Sequence, residues 1–286
     1  MPRYDLEYPQ APHSTVRRYK ERASYALRTI HGLVNEAQLL HVAFPAQDTP
    51  FPAVLPMIGQ MGAFGRPSAD TGDVLDLYLH GYVSARMSNL ARAATGNADN
   101  TTAAAQDAST NPPAGLPVTV SATHVDGLVL ARTPHAHSYN YRAAVLFGYA
   151  TVVPPGPEKL YALQLITDGV VPGRWAHTRV PPTGAELQST AVLKVRITAG
   201  SAKMRAGPPH DAPADLADPA VAADVWAGVV PVHTTLGTPI PDADNRVEPV
   251  PAYLEDFRVA YNDAGKVAAI AAAEEPPAAP NAKDDD

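Results

Sequence analysis

Thirty prolines in a chain of 286 residues limit what this sequence can fold into more than any other feature. Proline has no amide hydrogen and a fixed φ, so helix interiors and central strands exclude it and it collects in turns and at strand ends. Here the prolines lie mainly between short apolar runs and near the two ends of the chain. That distribution predicts a strand-rich fold with many rigid loops.

The runs between the prolines support this reading. Val16 to Glu36 has helical periodicity, with Ala26, Ile30, Leu33 and Val34 on one face. Leu39 to Phe44 and Phe51 to Ile58 read as a pair of strands, and Val74 to His80 alternates Leu75, Leu77 and Leu79 with polar neighbours. Ser84 to Ala94 reads as a helix capped by Ser84. Leu116 to Ala122 and Leu128 to Arg132 read as strands joined by an Asp-Gly turn within His124 to Gly127. Tyr141 to Val153 is a longer strand and Pro157 to Thr167 a helix. Thr190 to Ala199 has the cleanest alternation, with Val192, Lys194, Arg196 and Thr198 on one face, and Ser201 to Gly207 continues it. Strands at this spacing, with helices inserted but no regular βαβ order, imply an antiparallel barrel with helical caps.

In domain terms, residues 1–14 read as a flexible arm and 15–233 as one domain carrying an inserted loop at 95–115. Residues 234–286 read as a Pro/Ala/acid-rich extension, disordered from about Ala264. The net charge of −7 argues against nucleic acid as a partner, because phosphate binding needs a basic face. Five acids and one lysine between Glu274 and Asp286 account for much of that charge, so a small anion held by a few arginines stays compatible with it. The absence of cysteine removes disulfides, thiolate metal sites and cysteine nucleophiles. No run approaches the roughly 20 apolar residues of a membrane span, and the first residues lack the pattern of a secretory signal. A cytoplasmic protein with no membrane partner is expected. Dinucleotide, P-loop, zinc-protease and nucleophile-elbow signatures are all missing. His135 and His137 could share one face of an extended segment, but zinc needs a further ligand, so no metal site is assigned.

An ordered series of short motifs narrows the field. ERASY (Glu21 to Tyr25), HVAF (His41 to Phe44), FPAVLPM (Phe51 to Met57) and LYLHG (Leu77 to Gly81) come first. DGLVLAR (Asp126 to Arg132), HSYNYRAAVLFG (His137 to Gly148), Glu158-Lys159 ahead of a helix, and PGRW (Pro172 to Trp175) come next. SAKMRAGPP (Ser201 to Pro209) and WAGVVP (Trp226 to Pro231) complete the series. This order resembles the flavin-nucleotide-binding branch of the pyridoxamine-phosphate-oxidase-like proteins, the branch that includes the 5-nitroimidazole-resistance (Nim-type) proteins.

The resemblance implies a mainly β fold with helical insertions, an antiparallel split β-barrel of the FMN-binding type. It also implies a homodimer with flavin mononucleotide (FMN) at the subunit interface and a small organic molecule as substrate. In that arrangement the strand backbone at Leu55, Pro56 and Met57 lies along the flavin, and His80 lines the pocket. Ser84 and Arg86 open a helix whose N-terminus suits an anion. Ser138, Asn140, Tyr141 and Arg142 sit at a strand entry where a guanidinium fork could grip phosphate. Lys203 and Arg205 could add charge; the other reading of these basic residues is that they are solvated strand residues or ion pairs. Trp175 could stack on a ring or simply pack. Ala143 stands where the family commonly has serine, and Tyr82 where it has a small residue. His80, Tyr82 and His137 are the candidate catalytic groups of an FMN-dependent oxidoreductase. Two alternatives remain: a non-catalytic flavin or haem carrier, with His80 or His137 as axial ligand, and a cofactor-independent enzyme on the same scaffold.

Overall fold

The structure, a computed structural model, describes residues 5–46, 49–99 and 114–276. Nine strands are found among them: β1 (Ala23–Ser24), β2 (Leu40–Phe44), β3 (Ala53–Met57), β4 (Gly59–Gly62), β5 (Asp76–Tyr82), β6 (Leu116–Leu130), β7 (Ser138–Val152), β8 (Thr190–Arg205) and β9 (Gly228–Pro231). The helices are α1 (Leu27–Glu36), α2 (Arg86–Asp99), α3 (Pro157–Val170), α4 (Gly184–Ser189), α5 (Pro213–Ala217), α6 (Pro219–Asp224) and α7 (Ala252–Glu274). The strands form one sheet in the order β3-β2-β6-β7-β8-β5-β4, with β1 pairing to β8 and β9 to β6. The registered pairs β2–β3, β2–β6, β4–β5, β5–β8 and β6–β9 are antiparallel. The fold is therefore mixed α/β with a dominant antiparallel sheet. Among the described residues no helix is long and apolar enough to cross a membrane. Most of the loop expected at 95–115 lies outside the described residues, as do 277–286 of the tail.

The chain divides into two compact units, Met1–Ala122 with Ala143–Ala202, and Thr123–Arg142 with Lys203–Asp286. In the first, α1 buries Leu27, Ile30, Leu33 and Val34. The helix begins later than the periodicity from Val16 predicts, because residues 23–26 are drawn into extended pairing. Tyr8 N–H donates to the Tyr25 carbonyl and Leu27 N–H to that of Leu6, and Glu7 bridges Ala26. Part of the arm expected to be loose is thus tied down. A buried side-chain pair adds to this: Tyr8 Oη lies 2.6 Å from His31 Nε2, and His31 Nδ1 donates to the Thr71 carbonyl at 2.8 Å. A carbonyl only accepts, so Nδ1 carries the proton and the neutral ring takes the tyrosine hydrogen on Nε2. Desolvation holds the His31 pKa below its ordinary value, which favours this neutral form.

β8 departs from the alternation predicted for it. Ala191, Val192 and Leu193 are all buried, because the strand lies inside the sheet and is covered on both faces. On one face, Tyr78, Val153, Ala162, Ile166 and Val192 make a cluster under α3. Gly148 shows how closely β7 and β8 pack. A Cβ there would lie 2.3 Å from the Arg196 carbonyl oxygen, a backbone atom that cannot swing away. Gly148→Ala should therefore destabilise the protein by about 1–3 kcal/mol, seen as a lower denaturant midpoint at unchanged slope.

Two local expectations are corrected in the second unit. The Asp-Gly turn within His124 to Gly127 does not form: Leu116–Leu130 is one continuous strand. Gly127 pairs with Pro231 across β9, which occupies the edge that a hairpin turn would have left open. The C-terminal stretch read as disordered from about Ala264 is helical through Glu274, in α7. Alanine has the highest helix propensity, and the run from Ala268 to Ala273 has no proline to interrupt it. Asn262, on α7, accepts from Leu236 N–H at 2.7 Å and donates to the Leu236 carbonyl at 3.0 Å, joining the helix to the segment after β9.

Candidate functional site

The first unit gathers several candidate residues at one end of β5. Registers of His80 with Val192, Gly81 with Ala191 and Tyr82 with Thr190 place this end against the start of β8. On its other side His80 N–H donates to the Ile58 carbonyl at 3.0 Å, which brings the end of β3 alongside. Residues two apart share a strand face, so Tyr78, His80 and Tyr82 project the same way. Tyr78 is buried, but His80 and Tyr82 are exposed, Tyr82 by 62%. Among the described residues neither His80 nor Tyr82 makes a side-chain hydrogen bond. Desolvation by the surrounding strands lowers the His80 pKa even though the ring keeps an open edge. The ring is therefore neutral near neutral pH, with a lone pair available for a ligand.

Gly81 opens the other face. A Cβ at this position would meet only Met57 Cε, at 3.6 Å, so nothing crowds the backbone here. Met57 is half-buried, while Val54, Leu55 and Pro56 of β3 are exposed in succession. Three consecutive exposed residues mean that β3, the terminal strand of the sheet, is uncovered on both faces. Just beyond β5, Ser84 lies in an exposed turn and Arg86 is the first residue of α2. Helix α2 starts two residues later than predicted, and the turn is closed instead by Ala85 N–H to the Tyr82 carbonyl and by Ser88 Oγ to the same oxygen.

Trp175 is placed differently. It walls an open cleft of about 240 Å³ together with Leu163, Val180, Leu187 and Thr190. Its backbone N–H donates to Asp168 Oδ1 at 2.8 Å, which fixes the turn that carries it. Thr190 is the register partner of Tyr82, so the cleft adjoins the β5–β8 pairing.

The second unit holds the remaining candidates, and most of their polar atoms are already engaged. Arg142 presents its fork to Asp126, Nε to Oδ2 at 3.0 Å and Nη2 to Oδ1 at 3.1 Å. The pair is partly shielded from solvent. Asn140 is fully buried and Arg205 is 6% exposed. Arg205 Nη1 donates to Asn140 Oδ1, and Nη2 donates to the Pro208 carbonyl at 2.9 Å. Asn140 Nδ2 donates to the carbonyls of Gly207 and Ala272 at 3.2 and 3.0 Å. These two residues bind the chain to itself. Ser138, Tyr141 and Lys203 are half-buried on β7 and β8.

His137 is exposed at the start of β7. Its Nδ1 donates to the Thr133 carbonyl at 3.0 Å, so in the neutral ring the lone pair is on Nε2. Histidines that ligate metals are commonly oriented this way. His135 sits in the preceding turn, and among the described residues no three His, Asp or Glu side chains gather into a metal-binding group.

Charged residues at the start of α3 are also involved, and the sequence motif that contains them carried no role. Glu158 Oε1 accepts from Tyr78 Oη and from Lys194 Nζ, each at 2.8 Å. Burial opposes its ionisation, but these two hydrogen bonds outweigh it and hold the carboxyl below its ordinary pKa. Lys159 is buried, and its Nζ donates to the Leu187 and Thr190 carbonyls at 2.6 Å each.

An antiparallel sheet in this strand order, with an open strand end and an uncovered terminal strand, has the topology of the pyridoxamine-phosphate-oxidase-like proteins. The sequence profile of the pyridoxamine 5'-phosphate oxidase family matches residues 27–204, more than half of the chain, and the protein belongs to that family. Among solved structures it is similar to the flavocytochrome Anf3 from Azotobacter vinelandii, with 26% identity and a TM-score of 0.64 over 87% of this chain and 97% of that one. It is also similar to the FAD and haem binding protein from Mycobacterium smegmatis, with 28% identity and a TM-score of 0.63 over 83% of this chain and 97% of that one. Among curated protein sequences none matches significantly.

Proposed function

We propose that this chain is a flavin-binding redox protein on a split β-barrel, acting on a small organic molecule, and that it also holds haem. The observation that carries the reading is the open end of β5. An exposed, neutral His80 and an exposed Tyr82, neither with a side-chain hydrogen bond to another described residue, flank Gly81, whose backbone is uncrowded. Whole-chain similarity to a flavocytochrome and to an FAD and haem binding protein supports it.

The residues present fit a flavin. A planar ring system needs backbone or small residues to lie against, and Gly81 beside Met57 supplies such a surface. His80 and Tyr82 supply hydrogen-bonding groups at its edge, and the turn at Ser84 with the N-terminus of α2 supplies donors for phosphate. When bound, a flavin supplies hydride and single-electron transfer. The chain's own residues bind and orient it, and the uncovered apolar strand β3, with Val54 and Leu55 exposed and Ile58 exposed just after it, meets a second copy in a homodimer. FMN and FAD both suit this description. The extra length of FAD needs further polar contacts beyond α2, so identifying the released nucleotide distinguishes them.

Haem is favoured by a separate observation, the orientation of His137. With Nδ1–H held by Thr133, Nε2 of His137 would be the atom that holds the haem iron. A carrier with no turnover and a cofactor-independent enzyme are the competing readings. The absorbance spectrum of the protein as purified separates the cofactor-bound readings from the cofactor-independent one, and reduction of the bound flavin by NADH or NADPH separates the redox protein from the carrier. Both a flavin band and a Soret band are expected. A protein that stays colourless after incubation with FMN, FAD and haemin would refute the proposal.

A further inference from the structure

The start of α3 bridges β5 and β8 at two points, and the segment His80 to Tyr82 lies between or at them. At one point Glu158 joins Tyr78 to Lys194, which face each other in the β5–β8 register. At the other, Lys159 holds the carbonyls of Leu187 and Thr190, and Thr190 is the register partner of Tyr82. The carbonyl between them, that of Ser189, accepts from Val83 N–H at 3.1 Å. Three carbonyls at the junction of α4 and β8 are therefore used in turn by Lys159, Val83 and Lys159. Lysine suits this task because one ammonium offers several donors to oxygens at the C-terminal end of a helix, where the backbone carries partial negative charge.

We infer that Glu158 and Lys159 are positioning residues that clamp the open end of β5 against β8 and so hold His80, Gly81 and Tyr82 in place. The inference rests on the reading of that end as cofactor-facing. Burying an ammonium without a carboxylate partner is costly in general, and a clamp that must keep one exposed strand end in register explains why the cost is tolerated here. The exposed end of a strand otherwise frays, since its last residues have few buried contacts.

Hydrogen–deuterium exchange on the full chain tests this. Val83 N–H points to β8, so alternation along the strand also turns the amides of Gly81 and Leu77 that way. Lys159→Met should speed exchange at Gly81 and Val83 about tenfold or more, with Leu77 changed by less than about twofold. Glu158→Gln should do the reverse, loosening Leu77 and sparing Gly81 and Val83. Lys159→Gln keeps two donors and should fall between wild type and Lys159→Met; it takes the place of the methionine variant should that one not fold. Any chromophore band of the purified protein should also move in Lys159→Met. Uniform acceleration at all three amides, or none, overturns the clamp, as does an unmoved band. A colourless protein that still shows the exchange split refutes the cofactor reading alone and leaves the clamp standing.

Discussion

Asn140→Ala is expected to lower the stability of the protein by about 2–3 kcal/mol, since it removes one acceptor of a buried arginine and two hydrogen bonds to backbone carbonyls. Arg205 keeps the Gly207 and Pro208 carbonyls as partners, at 3.3 and 2.9 Å, but loses Asn140 Oδ1. The same substitution frees the Gly207 and Ala272 carbonyls from Asn140 Nδ2. Arg205→Met should cost less than Asn140→Ala, because it removes the buried charge along with its bonds and fills most of the volume. Equilibrium denaturation of the two variants measures this ordering. Equal and small losses, below about 1 kcal/mol, would mean that the network is solvated and carries little.

His80→Ala is the complementary case, with a large effect on ligand binding and almost none on folding. The His80 side chain is exposed and makes no hydrogen bond among the described residues, so its removal should move the thermal midpoint by no more than the shift of an ordinary surface substitution. Bound chromophore should weaken by about tenfold or more, the value of one hydrogen bond made in a partly desolvated site. Titrating the stripped variant with FMN or FAD reads this directly. A variant that binds both flavins like wild type removes His80 from the site. Tyr82→Ala is a useful companion, because a crowding tyrosine predicts tighter binding on its removal and a contacting one predicts weaker binding.

The two substitutions separate what was visible in the sequence from what was not. The β5 end was legible because strand alternation is a local property: Leu75, Leu77 and Leu79 set one face, and His80 before Gly81 marked where the run ends. The segment from His137 to Gly148 was legible as part of an ordered motif series, and Gly148 has a reason in the close approach of Arg196. What the polar residues in that segment do was not legible. Asn140 as polar lining and Arg142 as a phosphate ligand need the same donors and acceptors as internal partners do. Their partners, Arg205 and Asp126, lie 65 and 16 residues away, and no local pattern reports such a distance.

The same reason explains the other differences. An Asp-Gly pair favours a tight turn when its neighbours are free, but at Gly127 pairing to β9 kept the strand straight. The alanine-rich end was read by composition as a solvated tail, whereas in the fold it supplies an acceptor for Asn140 through the Ala272 carbonyl. Order along the chain was enough to assign most segments to strand or helix and to point to the family, although not to place every boundary or buried face. Those assignments depend on proline geometry, on the two periodicities and on motif order, all of them read along the chain. Packing alone set that Arg142 faces Asp126, that Asn140 and Arg205 hold each other, and that Lys159 binds the carbonyl of Thr190, the strand partner of Tyr82. Those outcomes depend on which donors and acceptors the packed backbone brings within about 3 Å of one another, a condition set across the fold rather than along the chain.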